Sequence, residues 1–138
     1  MTRGQPFNIR LDEATERLVE AEAKRTRRSK SAVVQALTEE AARTRRFPGI
    51  VFRGDDAQRR PSVIGTGLDV WEVLEMLQHF GSPDALVDAM PSLTLAQIRL
   101  AQAYRDAYPR EIADAIAEND RSIGDVPVLY PFVQVVGR

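Results

Sequence analysis

The chain of 138 residues contains no cysteine, one histidine, one tryptophan and only two lysines, Lys24 and Lys30. Without cysteine, a disulfide framework and a thiolate metal site are both excluded. The single histidine, His79, stands beside Phe80 and reads as a helix-terminal residue. No Ser/His/Asp or Cys/His set has a convincing context, so neither catalysis nor a cofactor nor a metal is expected. Long apolar runs are also missing: no stretch of about 18 residues could span a membrane. The N-terminus lacks the apolar core of a signal peptide, so a cytoplasmic protein is expected. Gly65-Thr66-Gly67 lacks the spacing of a phosphate-binding loop. Asp55-Asp56 and Glu39-Glu40 read as solvated carboxylate pairs.

What the chain does have is a charge asymmetry hidden by a net charge of −1. Residues 1–60 carry 14 Lys and Arg against 9 Asp and Glu, and residues 61–138 carry 5 against 11. A basic front half suits a polyanion, and an acidic back half does not.

The front half opens with alternation. In Pro6–Leu11 the residues Phe7, Ile9 and Leu11 point to one face of a strand, and Asn8 and Arg10 point to the other. Asp12 starts a helix at once. A lone strand must find a partner for its backbone groups, and the same strand of a second chain is the simplest one. Helix one is predicted from Asp12 to about Arg25, with Ala14, Leu18, Ala21 and Arg25 on one face and Val19 beside them. Thr26-Arg27-Arg28 makes a turn. Helix two is predicted from Ser29 as N-cap to about Arg46, with Val33, Val34, Leu37 and Ala41 at helical spacing.

Beyond Pro48-Gly49 the pattern changes. Ile50-Val51-Phe52 and Ser62-Val63-Ile64 flank a polar segment and suggest a small hairpin. Helix signals follow in close order: Asp69 with Glu72, Ser82 with Pro83, and Thr94 with Gln97, each ahead of apolar positions. Pro109 opens a fourth helix with Ile112 and Ile116 inward. Helix, tight turn and helix repeated over about 40 residues outlines a helix-turn-helix. Trp71 and Met76 read as core or subunit contact. From Asn119 onward, Gly124, Pro127 and Pro131 argue against a helix, and an extended apolar tail is expected.

On FNIRL, the immediate helix and SKSAVV, residues 5–46 resemble the ribbon-helix-helix family of transcription factors. The resemblance implies a homodimer whose paired strands enter the major groove of operator DNA. Asn8 and Arg10 would read base edges, asparagine on adenine and arginine on guanine. The start of helix two would hold phosphate through Ser29, Lys30 and Ser31, with Arg27 and Arg28 adjoining. One departure is the turn, where the family usually has glycine. Residues 60–118 resemble the helix-turn-helix-like domain of VapB-like antitoxins, on RRPSVIGTGLDVWEVL, MPSLTLAQIRLAQAY and YPREI. Gly67-Leu68 departs from it where an arginine is expected. The acidic balance favours protein contact over DNA contact for this module, although Arg99 and Arg105 point outward with Asp106 alongside.

Together these readings predict a mainly α protein. It would have a ribbon-helix-helix domain over 1–46, a hairpin linker leading into a three- to four-helix domain over 47–118, and an extended tail over 119–138. The function implied by resemblance is that of an antitoxin in a type II toxin–antitoxin pair. It would repress its own operon and neutralise a toxin, by analogy a PIN-like ribonuclease. Val128, Leu129, Tyr130 and Phe132 are the expected toxin-binding residues. The alternative is a stand-alone dimeric transcriptional repressor without a toxin.

Overall fold

The structure, a computed structural model, describes residues 4–55 and 58–129, with side chains in the last helix described as far as Asp120. The chain divides into two compact units at residues 43/44.

The first unit contains α1 (Glu13–Thr26) and most of α2 (Lys30–Arg46). Asp12 caps α1 by accepting the Thr15 N–H at 2.8 Å, which satisfies one of the donors a helix start leaves free. The turn after α1 is made without glycine. Arg27 takes the left-handed conformation, φ 55° and ψ 38°, and its N–H reaches Ala23 O. The Arg28 N–H joins the same carbonyl at 3.1 Å. Ser29 then caps α2, its Oγ accepting the Ala32 N–H at 3.0 Å.

Two sequence expectations change in this unit. Residues 4–11 carry no strand in the single chain. A strand is defined by its ladder, and the segment finds none among the described residues of its own chain. The face of α1 also differs. Ala14, Leu18, Ala21 and Arg25 are exposed, and Val19 is buried. At 3.6 residues per turn Val19 lies about 120° round the helix from that stripe. On α2, Val33 is buried while Leu37 and Ala41 are exposed.

The second unit is built on a three-stranded antiparallel sheet in the order β1 (Ile50–Arg53), β2 (Arg60–Val63), β3 (Leu68–Asp69). The expected hairpin is present, with Ile50 opposite Val63 and Arg53 opposite Arg60. The third strand is additional, with Ser62 opposite Asp69. Four helices follow: α3 (Val70–Phe80), α4 (Pro83–Ala89), α5 (Leu95–Ala107) and α6 (Pro109–Leu129). Their starts are the predicted ones. Asp69 and Glu72 form a capping box on α3, and Ser82 with Pro83 opens α4. On α5 the Thr94 and Gln97 side chains take each other's backbone N–H at 3.1 and 3.0 Å. Gly81 ends α3 at φ 90°, a conformation glycine adopts without a Cβ penalty.

Ile50, Val63, Val70, Val73, Leu86, Leu93, Ile98 and Tyr104 are buried as one core, closed by Phe47 and Ile112. Trp71, Met76 and Ile116 pack on its border. Tyr104 meets the Phe47 ring edge-on, with centroids 5.4 Å apart, and donates its hydroxyl to Glu111 at 2.9 Å.

The extended tail is corrected over its first part, because α6 continues through Asn119 to Leu129 and carries Gly124 and Pro127 within it. Glycine and proline are penalties of about 1 and 3 kcal/mol, not absolute stops. A helix already nucleated at Pro109 propagates more cheaply than a new one forms. Among the described residues no helix is long and apolar enough to cross a membrane.

Candidate nucleic-acid interface

The first unit gathers the residues expected to meet DNA around a segment without regular structure and one turn. Asn8 and Arg10 are exposed on residues 4–11. Arg27 and Arg28 are exposed at the α1–α2 turn, and no ion pair holds either of them, or Arg10, among the described residues. The left-handed Arg27 is the physical answer to the missing glycine. That conformation carries a cost of about 1–2 kcal/mol for an L-residue. Ser31 is exposed in the first turn of α2, where backbone N–H groups and the positive helix end favour an anion.

Lys30 is placed differently from its neighbours. Its Nζ lies 2.7 Å from Glu16 Oε1 and 3.3 Å from Glu20 Oε1, both on α1. The Glu16 hydrogen bond raises the Lys30 pKa above its ordinary value. Reciprocally, Lys30 lowers that of Glu16. Asp12 is also lowered, by the Thr15 N–H it accepts. These carboxylates were not singled out from the sequence, although the four-residue spacing of Glu16 and Glu20 places them on adjacent turns of one helix face.

The apolar side chains of this unit are largely in water. Phe7 is 82 %, Leu18 72 %, Ile9 66 % and Leu37 44 % exposed. Its buried apolar side chains among the described residues are Val19 and Val33.

The second unit holds a polar network that sequence reasoning missed. Ser62 is buried, accepts Arg53 Nε at 2.7 Å and donates to Asp69 Oδ1 at 2.7 Å. Arg53 Nη2 reaches the same carboxylate at 3.2 Å, and Trp71 Nε1 donates to Asp69 Oδ2 at 3.2 Å. No buried side-chain polar atom among the described residues lacks a partner, and the network ties β1, β2 and β3 to the start of α3. The only signal in the sequence was Asp69 as a helix cap. A cleft of about 440 Å³ is lined by Arg59, Arg60, Trp71, Glu111, Asp114 and Glu118. Arg105 on α5 lies beside Asp106 at 3.2 Å, as the sequence suggested. His79 is exposed against the Phe80 ring, 4.9 Å between centroids.

Of the expected toxin-binding residues, Val128 and Leu129 fall in the last turn of α6, and Tyr130 and Phe132 lie outside the described residues.

A family model described as a protein of unknown function (DUF433) matches residues 50–104, which run from the start of β1 to Tyr104 in α5. Neither the curated proteins nor the solved structures contain a match.

Proposed function

We propose that the protein is a cytoplasmic, homodimeric DNA-binding antitoxin that represses its own operon and captures a toxin, by resemblance a PIN-like ribonuclease. The observation that carries the DNA-binding half is the state of the first unit. Two buried valines are too small a core for some 40 residues, and domains of that size usually need help from a metal, a disulfide or a second chain. Cysteine is absent and the apolar side chains Phe7, Ile9, Leu18 and Leu37 stand exposed, so a second copy is the fitting cover.

In that dimer, residues 6–11 of the two chains pair as a ribbon. Phe7 and Ile9 turn inward, and Asn8 and Arg10 reach base edges. Arg27, Arg28, Ser29, Lys30 and Ser31 lie along phosphate. The acidic second unit suits a basic protein surface better than it suits DNA. Toxin capture is assigned to residues 119–138, with Val128, Leu129, Tyr130 and Phe132 as the apolar contacts. The alternative is a stand-alone dimeric repressor, in which the second unit strengthens the dimer.

Binding-site selection from random duplexes tests the reading, followed by titration of the selected and a random sequence. Arg10→Ala is expected to cost roughly 1–3 kcal/mol on the selected duplex and to relax base preference. Arg28→Ala is expected to weaken both duplexes alike. Equal losses for both variants on both duplexes would refute base reading by the N-terminal segment. Deletion of 119–138 is expected to abolish co-purification of the toxin from native cells while DNA binding persists. Unchanged co-purification would remove the tail from the toxin interface, and no partner at all would favour the stand-alone repressor.

A further inference from the structure

Among the exposed cations at the start of α2, Lys30 is the one held by two carboxylates from another helix, at 2.7 and 3.3 Å. We propose that Glu16 and Glu20 withhold Lys30 from DNA phosphate, so that random DNA is bound weakly and Lys30 engages phosphate only once the strand is seated on bases. The inference rests on the DNA-binding reading above.

The physics is a competition between oxyanions. Glu16 and Glu20 are four residues apart on one helix, where like charges repel. Lys30 stands against both and relieves that repulsion. A phosphate that draws Lys30 away therefore leaves two carboxylates facing each other, with the DNA backbone close by. The three side chains keep roughly half of their surface in water. The hold is correspondingly modest, since exposed pairs are individually weak. It is a bias against non-specific contact that a well-seated complex can overcome. Arg27 and Arg28 lack such a restraint among the described residues, which leaves them as the sequence-independent phosphate contacts.

The test uses the full chain and a random-sequence duplex, titrated across a range of salt. Glu16→Gln/Glu20→Gln is expected to bind roughly two- to fivefold tighter than the unsubstituted protein. Its plot of log affinity against log salt should steepen by about 0.9 for each lysine released. Glu20→Gln alone, which keeps the shorter pair, should give a smaller gain and carries the test should the double variant not fold. Adding Lys30→Ala to the double variant should abolish the gain. An unchanged affinity and slope in the double variant would overturn the inference and leave the DNA-binding reading standing. A triple variant as tight as the double would also overturn it, because the gain would then come from lost negative charge alone. Absence of any binding to DNA by the unsubstituted protein at low salt would overturn both.

Discussion

Replacing Arg27 by glycine separates what the α1–α2 turn needs from the charge it carries. Arg27 sits at φ 55°, ψ 38° as the C-cap of α1. A left-handed L-residue costs about 1–2 kcal/mol. Glycine removes that cost but loses about 0.5–1 kcal/mol to its greater freedom when unfolded. The balance is a gain of about 0.5–1 kcal/mol. With a urea dependence of about 1 kcal/mol per molar, the midpoint should rise by roughly 0.5–1 M. The assay follows the Val19 and Val33 amide signals by NMR during urea titration, at fixed protein concentration because a dimer's stability depends on it. The same variant should lose a phosphate contact, lowering the salt slope for random DNA by about 0.9 per chain. Arg27→Ala is the comparator, with the same loss of slope and no rise in midpoint. A midpoint for Arg27→Gly that is unchanged or lower would refute the strain argument.

Further expectations concern the second unit and the helix pair. Thr94→Ala removes the acceptor of the Gln97 N–H and should cost about 1 kcal/mol, read as a Tm lower by about 4–8 °C. Ile98→Ala empties a fully buried position and should cost about 2–5 kcal/mol in urea unfolding, the upper end if the core does not collapse around it. Tyr104→Phe keeps the ring contacts with Phe47 and Tyr108 but removes the hydroxyl donated to Glu111, for about 1 kcal/mol. In the first unit, Asp12 and Glu16 have lowered pKa values, so their stabilising contribution is complete above their ordinary values of 3.8 and 4.5 and is lost as pH falls through the lower folded ones. Lys30 has a raised pKa, so its contribution is complete below 10.5 and is lost as pH rises through the higher folded value. The protection factors of the α1 and α2 amides, corrected for the intrinsic pH dependence of exchange, should therefore be flat between these limits and fall outside them.

Helix starts were the most legible part of the sequence. Ser29, Ser82 and Thr94 cap where they were expected to, because a cap is a local bond between a side chain and an N–H two or three residues on. Ile112 and Ile116 were readable as inward because a four-residue spacing keeps them on one helix face. The third strand was not readable: two residues, Leu68 and Asp69, carry no alternation, and only pairing with β2 makes them a strand. The face of α1 that the single chain buries was unreadable for a related reason. Its most apolar stripe, around Leu18, is not the one that the single chain covers, and periodicity counts apolar residues without knowing what packs on them. Lys30 was legible as a cation near a helix start, while its two partners lie 14 and 10 residues earlier in the chain and meet it only across the helix pair.

The sequence by itself determined the helix starts, the charge division between the halves and the absence of thiol chemistry, because each depends on neighbours within a few residues or on composition alone. Tertiary structure decided which apolar face is buried and which basic side chains are left unpaired. It also placed Ser62, Arg53 and Asp69 in one network. Those outcomes depend on groups far apart in the chain, and only folding sets the distances between them.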